Sequence, residues 1–372
     1  MKRISPVVLP PHVSAAAQRL ERPAGIPEYR GDRHYLDLAQ EPFFYFLLNL
    51  RHVLKLSVDK YFAEQVGATG ADLYMYTSAI SSPMGPGSNS EVIPFEFGGK
   101  TTNLTDSSQF GFEPLLLNDF RHLYCFLPSL RGERPDARHL NQFYHAEYEG
   151  RVGLDEVLEI ASGLVFSFFE TLRANLAVVN ALSRNPGLSE AYIDRILGQK
   201  TGFDLIKFGE AARMLEKTAK PGCIEYHDSG RDFTALGEIT LCSLLSAERP
   251  FWVTHYDRDR VPFYQKPDPS DPKKVLNADL IFPPLFEGAV GGEIVGAGQR
   301  QDDSGEIRES LNRQGVNVQP YEWYINLRDN GRYGMTSGFG IGFERFIANV
   351  LGLSNIRDAI IYPRLRGDIA NP

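Results

Sequence analysis

The segment Gly338-Phe339-Gly340-Ile341-Gly342-Phe343-Glu344-Arg345 constrains this chain more than any other. Three glycines at alternate positions fit a tight strand passing under a ligand, because a residue without a Cβ lets another group come close to the backbone. Arg345 then falls on the first turn of a helix expected over residues 344–351. A dinucleotide fingerprint reads GxGxxG, whereas this spacing is GxGxG, so a dinucleotide-binding βαβ start is excluded. The plainer reading of the same glycines is a Gly-rich turn ahead of that helix.

Elsewhere the hydrophobic period decides the elements. Apolar positions from Phe44 to Phe62 recur at helical spacing and Gly67 stops them, which predicts an amphipathic helix over 41–67. Strands are expected at 72–80 and 92–97 around a Ser/Pro/Gly-rich loop at 81–90, then a helix at 113–120 and strands at 124–130 and 142–148. A long helix is expected at 155–181 and shorter ones at 189–197 and 208–217, followed by strands at 251–255, 279–282 and 293–296. Residues 1–40 show no period and read as an irregular leader. Strands joined by short loops, with helices in blocks, point to an α+β fold with a largely antiparallel sheet packed by helices.

The 372 residues are 42% hydrophobic, enough for a sizeable core, and no apolar run approaches the length of a membrane span. The N-terminus lacks the apolar stretch of a signal peptide, so the protein is expected in the cytoplasm. Cys125, Cys223 and Cys242 are too scattered for a disulfide framework or a metal cluster. A formal charge of −8 has the wrong sign for a surface that neutralises many phosphates.

Three further stretches carry chemistry. In residues 104–113 polar groups crowd a strand-to-helix junction, where a helix N-cap at Ser107 or Ser108 is the simplest account. In residues 130–149, Arg131-Gly132-Glu133, Arg138, His139 and Phe143 supply a guanidinium fork, a carboxylate and an aromatic plane, a set suited to a purine nucleotide; a charged, solvated hairpin loop is the alternative. In residues 279–300, carboxylates at Asp279 and Glu293 suit Mg²⁺, and the glycines up to Arg300 suit either close approach to a ligand or an ordinary hairpin.

Taken together, the four stretches resemble the catalytic domain of class II aminoacyl-tRNA synthetases of the asparaginyl/aspartyl subgroup. The resemblance spans about residues 41–368, with Arg131-Gly132-Glu133 similar to motif 2 and Gly338 to Arg345 with Asn355-Ile356-Arg357-Asp358 similar to motif 3. It implies an antiparallel sheet of about six strands flanked by helices, a domain over 41–372 with a helical insertion at about 153–220, and a homodimer. It also implies that ATP is bound by Arg131, Glu133, Arg138, His139, Phe143 and Arg345, with Arg131 on the α-phosphate and Arg345 over the adenine. Asp279 and Glu293 would hold Mg²⁺, with Glu287 as a rival ligand. Gln109, Glu113 and Arg300 would surround the amino-acid side chain. The α-amino group would fall to the loop where Pro86-Gly87 stands, with Glu91 close behind.

The chain also departs from the family. Only about 40 residues precede the first catalytic helix, too few for an anticodon-binding barrel. Tyr76-Thr77-Ser78 replaces the motif 1 proline, and no histidine precedes motif 3. The expected function is ATP-dependent adenylation of asparagine or a close analogue, with transfer to an acceptor other than tRNA. The alternatives are an ammonia-dependent asparagine synthetase acting on aspartate, an asparagine-tRNA ligase, and a non-catalytic paralog.

Overall fold

The computed structural model describes residues 5–79, 90–198, 202–218, 220–368 and 370–371. An eight-stranded sheet forms its centre: β1 (Thr69–Gly70), β2 (His122–Leu130), β3 (Gln142–Gly150), β4 (Asp204–Lys207), β5 (Phe251–Thr254), β6 (Asn277–Phe282), β7 (Gly292–Gln299) and β8 (Ser337–Gly342). The spatial order is β1-β2-β3-β8-β7-β6-β5-β4. The six strands from β2 to β5 along that order pair antiparallel, and the two short edge strands run parallel to their neighbours.

One face of the sheet is packed and the other carries the site. Because side chains alternate along a strand, Tyr144, Ala146 and Tyr148 of β3 pack toward the main core, as do Phe339 and Ile341 of β8. Helix Pro42–Tyr61 lies in that core through Phe43, Leu47, Leu50, Leu54 and Val58. Pro42 opens it at the first turn, where a missing N–H leaves no intrahelical bond unmade. A π turn at Phe62–Val66 and the left-handed Gly67 (φ 70°) close it. Helix Leu154–Ala174 packs beside it, burying Val157, Ala161, Leu164, Val165, Phe168 and Leu172. The helices of residues 153–198 share this one core with the sheet, and a second apolar cluster gathers Phe208, Leu241, Phe251 and Ile281.

Several elements differ from the sequence reading. The leader is not irregular: Pro11–Gln18 and His34–Gln40 are helical, and Leu9, Val13 and Ala17 are core residues. Both helices are too short to show a period. The long helix ends at Ala174 and restarts at Leu176. Asn175 breaks it, accepting from the N–H of Leu9 at 2.8 Å and donating to the carbonyls of Thr171 and Val7 at 2.7 and 2.8 Å. The helix expected at 113–120 runs from Gln109 to Leu116, starting four residues earlier. Of the strand expected at 72–80, the described residues 72–79 form strand at Tyr76–Thr77 alone, within a three-stranded sheet with Pro94–Phe97 and Lys100–Leu104. The Gly-rich segment is strand β8, not a turn. The loop at 81–89 with Pro86-Gly87 lies outside the described residues.

Candidate active site

Above the free face of the sheet lies a cavity of about 460 Å³. Its floor is β3, β8 and β7. Successive residues of the same face of β3, Phe143, His145 and Glu147, line it, and Glu149 continues that row. Beside them Gly338 and Gly340 of β8 pair with Gly298 and Gly296 of β7. The glycines are needed here. A Cβ on Gly338 would collide with the Glu149 carboxylate, and one on Gly298 with the Gln265 amide. Ten of the residues picked out from sequence meet on the wall: Gln109, Arg131, Glu133, Arg138, His139, Phe143, Asp279, Glu293, Arg300 and Arg345.

At one end the guanidinium of Arg131 lies 5.1 Å from the Phe143 ring centroid, and its Nε is buried with no hydrogen-bond partner among the described residues. Arg345 bridges the opposite wall. Its Nη1 donates to the Glu293 carbonyl at 3.1 Å and pairs with the Glu293 carboxylate at 3.2 Å, and its Nη2 reaches His139 Nε2 at 3.1 Å. An arginine only donates, so Nε2 of His139 accepts and Nδ1–H faces Asp136 Oδ1 at 2.9 Å. Arg138 pairs with Glu238 at 2.9 Å, and Glu238 also accepts from the Glu293 N–H at 3.1 Å.

Carboxylates crowd this side. Burial pushes the Asp279 carboxyl well up, and the neighbouring Glu293 adds to the rise. Burial likewise raises Asp232 to about 6, against the pull of Arg260. Asp279 and Glu293 converge over Gly296, where a Cβ would stand 3.2 Å from Glu293 Oε1 and 3.6 Å from Asp279 Oδ1. Two oxygen donors whose mutual repulsion a cation would relieve fit Mg²⁺, which normally keeps waters and substrate phosphates among its ligands. Among the described residues no group of three or more His, Cys, Asp or Glu side chains is arranged to enclose a metal. Glu287, the rival ligand, is exposed in the loop after β6 and off the cavity.

At the other end Glu147 is buried, accepting from Ser107 Oγ at 2.6 Å and from the Ser108 N–H at 2.9 Å. Deeper still, Arg300 holds Glu149, with Nε 3.0 Å from Oε1 and Nη2 2.6 Å from Oε2. Burial raises the Glu149 carboxyl to about 7 even with Arg300 beside it. Between the two ends sits His145, with Nδ1 2.9 Å from Ser129 Oγ. Burial, then Arg131 and Arg345, pushes its imidazole well down, so it is uncharged.

Two expected site residues are elsewhere. Glu113 is buried off the cavity: Tyr324 and Tyr333 donate to it at 2.6 and 2.5 Å, and Arg328 pairs with it at 2.8 Å. Its carboxylate is committed to holding helix Gln109–Leu116 against the segment before β8. Glu91 is exposed and pairs with Arg366 at 3.2 Å, on the far side of the Arg131 loop. Sequence reasoning passed over His145, Glu149 and Glu238. The first two were legible, since counting by twos from Phe143 along a strand reaches both; Glu238 sits on helix Ala235–Leu244, which had no strong periodic signature.

Residues 28–366 match the family described as "tRNA synthetases class II (D, K and N)". The chain belongs to that family. Its members are ATP-dependent ligases that form aminoacyl-adenylates. Among its relatives, asparagine–tRNA ligase of Thermus thermophilus is 30% identical, with 92% of this chain and 74% of that protein covered. Asparagine–tRNA ligase of Thermoplasma acidophilum is 28% identical, with 91% and 73% covered. The chain spans 59% of a third asparagine–tRNA ligase, from Mycoplasma genitalium, at 30% identity. In structure it is similar to asparaginyl-tRNA synthetase from Pyrococcus horikoshii complexed with asparaginyl-adenylate: TM-score 0.77, 26% identity, 91% of this chain and 73% of that one. The class II synthetase fold expected from sequence is therefore the observed one.

Proposed function

We propose that this cavity adenylates asparagine, or a close amide analogue, with ATP and Mg²⁺. The observation that carries the reading is Arg300 on the cavity wall beside Glu147, held by the fully buried Glu149 directly behind it. A side-chain amide is both donor and acceptor, so its carbonyl suits Arg300 and its NH₂ suits an ionised Glu149. Glu147 is the acceptor for the substrate ammonium, a role that neither Glu91 nor the distant Glu113 is situated to fill. Gln109 borders the same end of the cavity. At the far end, adenine rests on Phe143, with Glu133 within reach of its amino group and Arg138 and His139 near the outer phosphates.

In the reaction a carboxylate oxygen forms a bond to the α-phosphorus, the bridging P–O bond breaks, and pyrophosphate leaves with the electron pair. Arg131 and Arg345 offset the charge that gathers on the phosphoryl oxygens, and a fixed guanidinium does so without reorganising at the moment of reaction. Asp279 and Glu293 would hold Mg²⁺, which when bound compensates charge on the departing pyrophosphate. Uncharged His145 sits under the reacting groups without adding a third cation.

Members of the family commonly form dimers. The apolar Tyr45, Leu48 and Leu56, exposed on helix Pro42–Tyr61, support a homodimer through that face. The charge of −8 supports an acceptor other than a polyanion such as tRNA. No helix of the described residues is long and apolar enough to cross a membrane.

A second reading reverses the amino acid. Arg300 then holds the α-carboxylate of aspartate, the β-carboxylate is adenylated, and ammonia displaces AMP. It is favoured by the Glu149 carboxyl lying near 7, since a protonated Glu149 tolerates a carboxylate beside it. ATP/pyrophosphate exchange across a panel of amino acids, followed by mass spectrometry of products with ammonia and with total tRNA, tests both. Asparagine-dependent exchange supports the first reading, and aspartate-dependent exchange with asparagine as product supports the second. Charged tRNA as the main product would refute the non-tRNA acceptor.

A further inference from the structure

The loop that carries Arg131 and Glu133 is held from behind, and the contacts doing so are made through its backbone. Three successive carbonyls are occupied. Asn141 Nδ2 donates to the carbonyl of Arg131 and to that of Glu133, both at 2.7 Å. Between them, the carbonyl of Gly132 accepts from Arg366 Nη1 at 2.9 Å. The remaining valence of the Asn141 amide is used as well, its Oδ1 accepting the Arg366 N–H at 2.6 Å. The Asn141 N–H donates to the Arg364 carbonyl at 3.2 Å, so a strap around residues 364–366 lies along the base of the loop. Arg366 then reaches on to Glu91 at 3.2 Å, and the Glu91 carbonyl accepts the Gly132 N–H at 2.7 Å.

An asparagine side chain matches this arrangement as few others do. Two donors and one acceptor meet two carbonyls and one N–H; aspartate lacks the donors, and an aliphatic residue lacks both. The strap is not simply core. A second cavity of about 510 Å³ undercuts it, with Gly132, Asn141, Leu365 and Arg366 on its wall, so polar bonds fasten this stretch where close packing would otherwise do so. Arg366 itself is more than half exposed.

We infer that Asn141 and Arg366 are positioning residues: the strap fixes the backbone of Arg131-Gly132-Glu133 before the nucleotide arrives. This rests on the nucleotide-binding reading of that loop. A binding loop ordered in advance spares the ligand the entropy of ordering it. Loosening it therefore weakens ATP and leaves the amino-acid end, which is built on β3 and β7, untouched.

The test uses the full chain. ATP affinity is measured by calorimetry, and the Michaelis constants for ATP and for the amino acid by pyrophosphate exchange, in wild type, Arg366→Ala, Arg366→Lys, Asn141→Ala and Asn141→Asp. Each lost clasp bond is expected to weaken ATP about fivefold to tenfold, with Asn141→Asp worse than Asn141→Ala because a carboxylate would face two carbonyls. Arg366→Lys, which can still donate to Gly132, should recover part of the loss. The amino-acid constant should stay within about twofold and the melting temperature of the exposed Arg366 variants should not move. Equal ATP affinity in wild type and Arg366→Ala would overturn the inference, as would a parallel loss of both substrates. Failure of the wild type itself to bind ATP would instead remove the nucleotide reading, and this inference with it.

Discussion

Arg300 reaches from the end of β7 across β8 to Glu149 on β3, its Nη2 2.6 Å from Oε2, over Gly338. Two buried ions in contact, one of them a carboxyl raised to about 7, make side-chain selection depend on pH. Below that value Glu149 carries its proton and the site offers Arg300 as a net cation; above it Glu149 is an anion that accepts from an amide and repels a carboxylate. The ratio of kcat/KM for asparagine to that for aspartate is expected to rise about tenfold from pH 6 to pH 8. Exchange assays at half-unit steps check this, and Glu149→Gln should flatten the ratio.

Arg345 ties together Glu293, His139 and the Arg138 carbonyl. Replacing it by alanine removes a cation from the reacting end and releases His139. Exchange should fall by about 10²–10³-fold with an unchanged circular dichroism spectrum. A variant retaining wild-type exchange would dismiss the assignment of the nucleotide end.

The two floor glycines of β8 predict contrasting outcomes. In Gly338→Ala the new methyl would meet Glu149 Oε2, and the Tyr148 carbonyl at 2.5 Å, so strands must shift. A loss of ~1–3 kcal/mol in stability is expected, together with weakened amino-acid binding. In Gly340→Ala the nearest atoms are Glu147 Cγ at 3.7 Å and Gln109 Nε2 at 3.9 Å, ordinary contact distances. That variant should melt like wild type yet bind substrate poorly, because the methyl occupies the cavity. Thermal melts paired with Michaelis constants separate the two.

Glu113 was expected beside the substrate and instead anchors the buried Arg328 and Tyr324 and the partly buried Tyr333. Glu113→Gln leaves Arg328 without its counter-ion, for which a loss of ~3–5 kcal/mol is typical of a broken buried pair. The preference between asparagine and aspartate should not change. A shift in preference at wild-type stability would return Glu113 to the binding site.

Much of this site was legible because its residues are clustered in sequence. Arg131, Glu133, Arg138, His139 and Phe143 fall within one hairpin, and a hairpin brings its residues together whatever surrounds it. Glu113 and Glu91 were misplaced for the opposite reason. Their neighbours in sequence belong to the site, but the direction of each side chain is set by partners 211 to 275 residues away, Tyr324 and Arg366. Asn141 was invisible likewise, since its role depends on Arg366, 225 residues further on. Elements showed the same division. The long amphipathic helices announced themselves through many apolar repeats, whereas Pro11–Gln18 buries only Val13 and Ala17 and offers almost no period to read.

Asn175, which interrupts the long helix between Ala174 and Leu176, also sets an order in time. Val7 and Leu9 leave the ribosome well before it, Leu9 by 166 residues. At ordinary rates of synthesis the early segment waits on the order of ten seconds for the side chain that will hold it. Its docking therefore follows the making of helix Leu154–Ala174, and contacts of such long range form slowly. The segment synthesised early is thus among the late ones to be secured, and during that interval its apolar Leu9 and Val13 are open to chaperones and proteases.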